Sequence, residues 1–133
     1  MRTPEAQNSA PGFIKHPDYK MLINAERVSA EIHLGCDVLA RSDQALRLSE
    51  NTYSDVIYFP REHVKMNSLV QSNTSSFCPF KGTACYWRLA KVTENTSESI
   101  DICWSYKEPF NEAIAIKSYI AFYKDKVTVT FCQ

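Results

Sequence analysis

Residues 78–87 read Cys-Pro-Phe-Lys-Gly-Thr-Ala-Cys-Tyr-Trp, a stiff turn that runs straight into an aromatic strand. Pro79 restricts its own φ and lacks a donor, while Gly82 accepts backbone angles that other residues refuse. The turn presents a thiol, Cys78, and an amine, Lys81, close together. Period-two alternation then puts Ala84 and Tyr86 on one face of the strand and Cys85, Trp87 and Leu89 on the other. A second aromatic strand is expected over residues 99–106, with Ile100, Ile102, Trp104 and Tyr106 sharing a face. A polar turn around Asn95 joins it to residues 83–92. This antiparallel pair makes the chain mainly β.

The rest of the chain carries the same punctuation. Residues 26–32 alternate, and Gly35 and Asp37 mark a turn. Residues 38–42 and 45–50 read as a hairpin closed by Asp43-Gln44. Residues 56–59 form a short strand that Pro60 ends, because its ring cannot donate to a ladder. Residues 61–69 suggest a helical turn, and residues 70–77 a Ser/Asn/Thr-rich loop. Pro109 opens a short helix through Ile116, with apolar residues at helical spacing. Residues 119–123 and 127–131 read as a last hairpin over residues 124–126. Residues 1–17, rich in polar residues and proline, read as a flexible lead-in to a single domain over residues 18–133. Many short strands with one or two short helices imply a compact antiparallel sandwich, barrel or similar closed fold.

Composition narrows the function classes. The 133 residues suit one domain with one core. Fifteen basic and fifteen acidic residues cancel, which argues against a nucleic-acid binder that works by charge neutralisation. No apolar run has the length of a membrane-spanning helix. The polar N-terminus is unlike a signal peptide, and five cysteines cannot all pair within one chain. Reduced thiols and a cytoplasmic location are the expectation. No Cys-x-x-Cys pair, metalloprotease histidine spacing or Gly-rich phosphate loop occurs, so neither a metal nor another cofactor is expected.

Several side chains stand out. Leu46, Leu48 and Glu50 share a face that the leucines mark as inward. Glu50 is then an acid/base group or ligand anchor at the rim of the core, or a strand-end carboxylate reaching solvent. Arg41, on the face of Leu39, could pair with Glu50 or clamp a phosphate or carboxylate bidentately, or else form a structural ion pair. Trp104 and Tyr106 offer either a stacking platform or plain core. Cys78 is either a thiol activated by the Lys81 ammonium or a small buried hydrophobe.

Read together, Leu39-Ala40-Arg41-Ser42, Glu50, Tyr58-Phe59-Pro60-Arg61-Glu62, Cys78-Pro79-Phe80-Lys81-Gly82, Trp104-Ser105-Tyr106 and residues 119–123 resemble a family of small β proteins. That family is domain of unknown function 427, and the resemblance covers about residues 28–131. It implies a β-tent fold similar to the Mss4-like group. Zinc-binding members of that group use Cys-x-x-Cys pairs, which this chain lacks. A nucleotidyltransferase label is sometimes attached to the family. That chemistry needs a Gly-Ser turn and an Asp-x-Asp metal site, and neither occurs here.

The resemblance picks out Arg41, Glu50, Tyr58, Cys78 and Lys81, with Arg61 in the same motif as Tyr58. The expectation is one pocket for a small anionic or nucleotide-like ligand. Arg41 and Lys81 would hold negative charge, Arg61 would contact the ligand, and Tyr58, Trp104 and Tyr106 would pack it. Cys78, Lys81 and Glu50 are the residues available to a reaction, although no reaction is named. The rival expectation is a structural or protein-interaction domain in which the Arg/Glu/Lys set is an ion-pair network.

Overall fold

The computed structural model describes residues 8–90 and 100–132. Nine strands lie in these residues: β1 (Met21–Ile23), β2 (Val28–Leu34), β3 (Asp37–Glu50), β4 (Val56–Phe59), β5 (Leu69–Cys78), β6 (Gly82–Leu89), β7 (Asp101–Tyr106), β8 (Ile120–Phe122) and β9 (Thr128–Phe131). A four-residue helix, α1 (Gly12–Lys15), precedes them. Short 3-10 turns occupy Arg61–His63, Met66–Ser68 and Asn111–Ile116, near the two positions where helical turns are expected. All strand pairs are antiparallel. They make one sheet in the order β5-β6-β7-β8-β4-β3-β2-β9, with β1 also on β3. The protein is therefore mainly β, but the sheet is not closed into a barrel.

Alternation along β4 separates two cores. Ile57 and Phe59 enter a cluster with Ile32, Leu39, Trp87 and Phe122. Tyr58, pointing the other way, enters a cluster with Leu46, Leu48, Tyr106 and Ile116. The expected split of β6 is present too, with Trp87 in the first cluster and Ala84 in the second.

Four local expectations are corrected. Asp43-Gln44 does not close a hairpin, because β3 runs unbroken through it. The register steps from Val28↔Ala45 to Ala30↔Ser42, which makes the site a β-bulge. The Gln44 N–H donates to Ser42 Oγ at 2.9 Å, giving the extra residue a local partner. Residues 70–77 are strand, not loop. β5 is an edge strand, mostly exposed, held by its ladder to β6 and not by a buried face. The last two strands do not pair with each other. β8 is buried at all three positions and lies between β4 and β7, whereas β9 is a mostly exposed edge on β2. Finally, a bulge between Trp87↔Cys103 and Arg88↔Asp101 shifts the phase of β7. Ile102 therefore joins the first core while Trp104 and Tyr106 line the second. The turn expected around Asn95 lies outside the described residues.

Residues 8–17 pack against the domain. The Asn111 N–H donates to Asn8 O, and the Ala10 N–H to Glu112 Oε1, at 2.9 and 2.8 Å. Ala10 is buried. The remaining lead-in, residues 1–7, lies outside the described residues.

Candidate functional site

The centre of the second core's rim is an ion pair. Glu50 ends β3, where alternation with Leu46 and Leu48 turns it inward. Lys81 sits on the turn between β5 and β6, which Gly82 makes possible. Gly82 has φ +126°, and a Cβ there would lie 3.3 Å from Pro109 Cα. The Phe110 N–H donates to Lys81 O at 2.9 Å, tying the turn to the segment after β7. Lys81 Nζ donates to Glu50 Oε1 at 2.5 Å. The two side chains are only 10% and 13% exposed.

The second carboxylate oxygen is taken by a residue from the N-terminal segment. The Tyr19 hydroxyl donates to Glu50 Oε2. Its ring stacks on Phe80 with centroids 3.7 Å apart and planes 8° from parallel. Phe13 meets the same Phe80 edge-on at 5.0 Å. The Gly12 N–H donates to Pro79 O at 2.9 Å. A Cβ on Gly12 would sit 2.7 Å from Phe80 Cε1 and 2.9 Å from Pro79 O, so this approach needs glycine.

Phenols and a thiol surround the pair. Tyr58 is buried, and its hydroxyl accepts from Trp104 Nε1 at 3.3 Å. Burial pushes its phenol well above the usual range, and the charges of Glu50 and Cys78 push the same way. Tyr106 is held up by burial first, then by Tyr58, Cys78 and Tyr86. Tyr19 is raised by burial and by its bond to Glu50. Cys78 is half-buried and free. Tyr58 meets Trp104 edge-on, and Trp104 meets Tyr123 with centroids 4.7 Å apart, so these rings pack mainly on one another.

The structure thus brings Glu50, Lys81, Tyr58, Cys78, Trp104 and Tyr106 to one region. Arg41 and Arg61 are not gathered there. Arg41 Nε donates to Glu31 Oε2 at 2.9 Å, where His33 Nε2 also meets Oε1 at 2.9 Å. This pairing holds the Glu31 carboxyl below the usual range, with the Arg41 bond the main cause. Arg41 belongs to this structural network because β2 and β3 set Glu31 directly opposite it. The Arg61 guanidinium lies 5.4 Å over the ring of Trp87, a residue of the first core.

Space is as telling as charge. A depression of about 540 Å³ lined by Lys15, His16, Tyr19, Asn51 and Phe80 lies at the outer side of the Tyr19–Phe80 stack. Three others lie at the β5–β7 face, beside His63, and at the Gly35 turn. None of these four is lined by Glu50 or Lys81. The pair is covered.

Sequence reasoning passed over Tyr19, Phe13 and Gly12. Their one signal was three aromatic or apolar residues, Phe13, Ile14 and Tyr19, within an otherwise polar stretch. It also missed a contact of 2.7 Å between Ser42 Oγ and His63 Nδ1, which strand register creates and spacing does not show. Among the described residues no three His, Cys, Asp or Glu side chains gather as a metal-holding group.

Fold and site together define a small open-sheet β domain with a covered Lys–Glu pair ringed by tyrosines. The family model described as Domain of unknown function (DUF427) matches residues 22–133, and the chain belongs to that family. No curated protein matches the chain. No helix among the described residues is long and apolar enough to cross a membrane.

Proposed function

We propose that the chain is a binding domain for a small neutral, polar molecule, recognised at Glu50 and Lys81. One observation carries this reading. The outer oxygen of a nearly buried carboxylate is closed by a side chain that enters from before the family-matched region, not by a strand of the sheet. A buried ion pair contributes little to stability compared with an apolar pair of the same shape. It is better explained by the hydrogen bonds it can offer.

Charge decides the ligand type. Glu50 neutralises Lys81, and Arg41 and Arg61 are engaged elsewhere. An anion would meet the Glu50 carboxylate with no surplus positive charge, so a nucleotide-like anion fits less well than a neutral hydrogen-bond donor. Tyr58, Cys78 and Tyr106 form the apolar-bodied wall of such a site, with Trp104 behind Tyr58. The reading is one of binding, and it assigns no bond-making step. All five cysteines are free, which supports a reducing, cytoplasmic setting.

The competing reading treats the pair as a fold-stabilising network, favoured by the absence of Glu50 and Lys81 from the four depressions. Native mass spectrometry of freshly purified protein, then a thermal-shift screen of neutral hydroxylated and aminated compounds, separates the two. The binding reading expects a retained or stabilising compound whose effect disappears in Glu50→Gln. A screen with no response sinks it and leaves the structural reading.

A further inference from the structure

We infer that the site around Glu50 takes a planar aromatic ring bearing a hydrogen-bond donor, and that Tyr19 occupies this subsite as a built-in competitor. The inference rests on the binding reading above and adds the ligand's chemical class and its control. Tyr19 satisfies three separate features of the subsite. Its ring lies flat on Phe80, its hydroxyl donates to Glu50 Oε2, and it carries no charge. Lys81 occupies the other oxygen, to which its ammonium donates. Any molecule that replaces Tyr19 must supply the same pair of contacts or leave a polar oxygen unsatisfied. Stacked rings and a charge-assisted hydrogen bond each contribute to such recognition.

The cover is attached by separable contacts. Tyr19, Phe13 and Gly12 all precede residue 22, where the family match begins. The segment docks through one backbone bond to Pro79, the Phe80 ring contacts, and the Asn8 and Ala10 bonds to the segment after β7. The helix within it is only four residues long. Strand β1 begins at Met21, and Lys20 just before it is tied to Asn51 by two hydrogen bonds, so the separable part of the segment ends at Tyr19. A tethered ring competes as an intramolecular ligand. The affinity for an external ring is then reduced by the fraction of time that the segment is undocked.

The test uses the full chain and 4-methylphenol as probe, with toluene as the control lacking the donor, and measures Kd by NMR titration. Tyr19→Ala vacates the ring space and frees Oε2. Binding of 4-methylphenol is expected to be at least about ten-fold tighter than in the wild type, which corresponds to a segment undocked about a tenth of the time or less. Toluene should bind at least about ten-fold more weakly than 4-methylphenol, and this preference should vanish in Tyr19→Ala/Glu50→Gln. Gly12→Ala keeps Tyr19 but drives its added Cβ into Phe80 and Pro79 O. It should show an intermediate gain, and it carries the test if Tyr19→Ala does not fold.

Equal 4-methylphenol affinity in wild type, Tyr19→Ala and Gly12→Ala would overturn the competitor role and leave the binding reading standing. Equal affinity for toluene and 4-methylphenol would overturn the assigned ligand class. No binding to any variant would overturn the binding reading itself.

Discussion

Replacing Lys81 by methionine keeps the bulk of the side-chain stem and removes the ammonium. Glu50, at 13% side-chain exposure, would then keep only the Tyr19 hydroxyl of these two donors. The Nζ···Oε1 distance is 2.5 Å. At an effective dielectric of about 20 the gross attraction is roughly 7 kcal/mol, most of which desolvation of both groups offsets. Removing one partner does not return that desolvation cost, so breaking a buried pair costs about 3–5 kcal/mol. Residual exposure of both groups puts this pair near the lower end, about 3 kcal/mol. For a domain of this size that corresponds to a fall in Tm of about 10 °C. Urea unfolding of Lys81→Met, Glu50→Gln and the double variant gives the coupling directly, expected at about 2 kcal/mol with the double variant more stable than Lys81→Met. If Lys81→Met lies within about 0.5 kcal/mol of the wild type, Glu50 is not held in a low-water setting, and the covered-site geometry fails with it.

Three other predictions use independent parts of the structure. Tyr19, Tyr58, Tyr106 and Tyr123 all have phenols raised by burial, Tyr123 to about 12, so ultraviolet titration should show only part of the seven tyrosines ionising by about pH 11. Because their folded pKa values exceed the unfolded value, their contribution to stability is complete below about pH 10 and is lost as pH rises through the folded values; full ionisation at pH 11 with the fold intact would contradict this burial. Arg41→Met should raise the Glu31 carboxyl toward the usual value, read by NMR. In the wild type the depressed Glu31 stabilises above the unfolded carboxylate pKa, and that stability is lost as pH falls through the folded one; an unmoved Glu31 would show that Arg41 is not its main partner. Ser105→Ala should stabilise the protein by about 1 kcal/mol in urea unfolding, because Ser105 Oγ is buried without a hydrogen-bond partner; a loss of stability would reveal a partner.

The parts of the fold that could be read from sequence are those where one strong local rule acts alone. Val56–Phe59 stops at Pro60 because proline lacks a donor. Leu46 and Leu48 carry Glu50 inward because β-strands alternate. Lys81 lies on a turn because Gly82 follows it at φ +126°. The errors fall where a local pattern had two meanings. Asp43-Gln44 has turn chemistry, and a bulge uses the same side-chain-to-backbone bond inside a strand. β5 is an edge with little buried surface, so no apolar alternation announced it. Ile120, Ala121 and Phe122 form a short apolar run, which fits a hairpin arm and a central strand equally well. Only the long-range pairings with Tyr58, Phe59 and Cys103 distinguish them.

The same division holds for the site. Its components lay in the chain as an inward carboxylate, a turn lysine and a set of aromatic strand residues. Their assembly depends on contacts between residues 31 positions apart, from Tyr19 to Glu50 and again from Glu50 to Lys81. Local periodicity carries no information about such contacts. Arg41 shows the converse, since its residue type suited an anion clamp and its register gave it to Glu31. Alternation, proline and glycine settle which way a side chain points from its own strand or turn. Which charges meet, and that Tyr19 closes over Glu50, follow from how distant segments pack, because an ion pair or a ring stack forms only when folding brings both partners within a few ångströms.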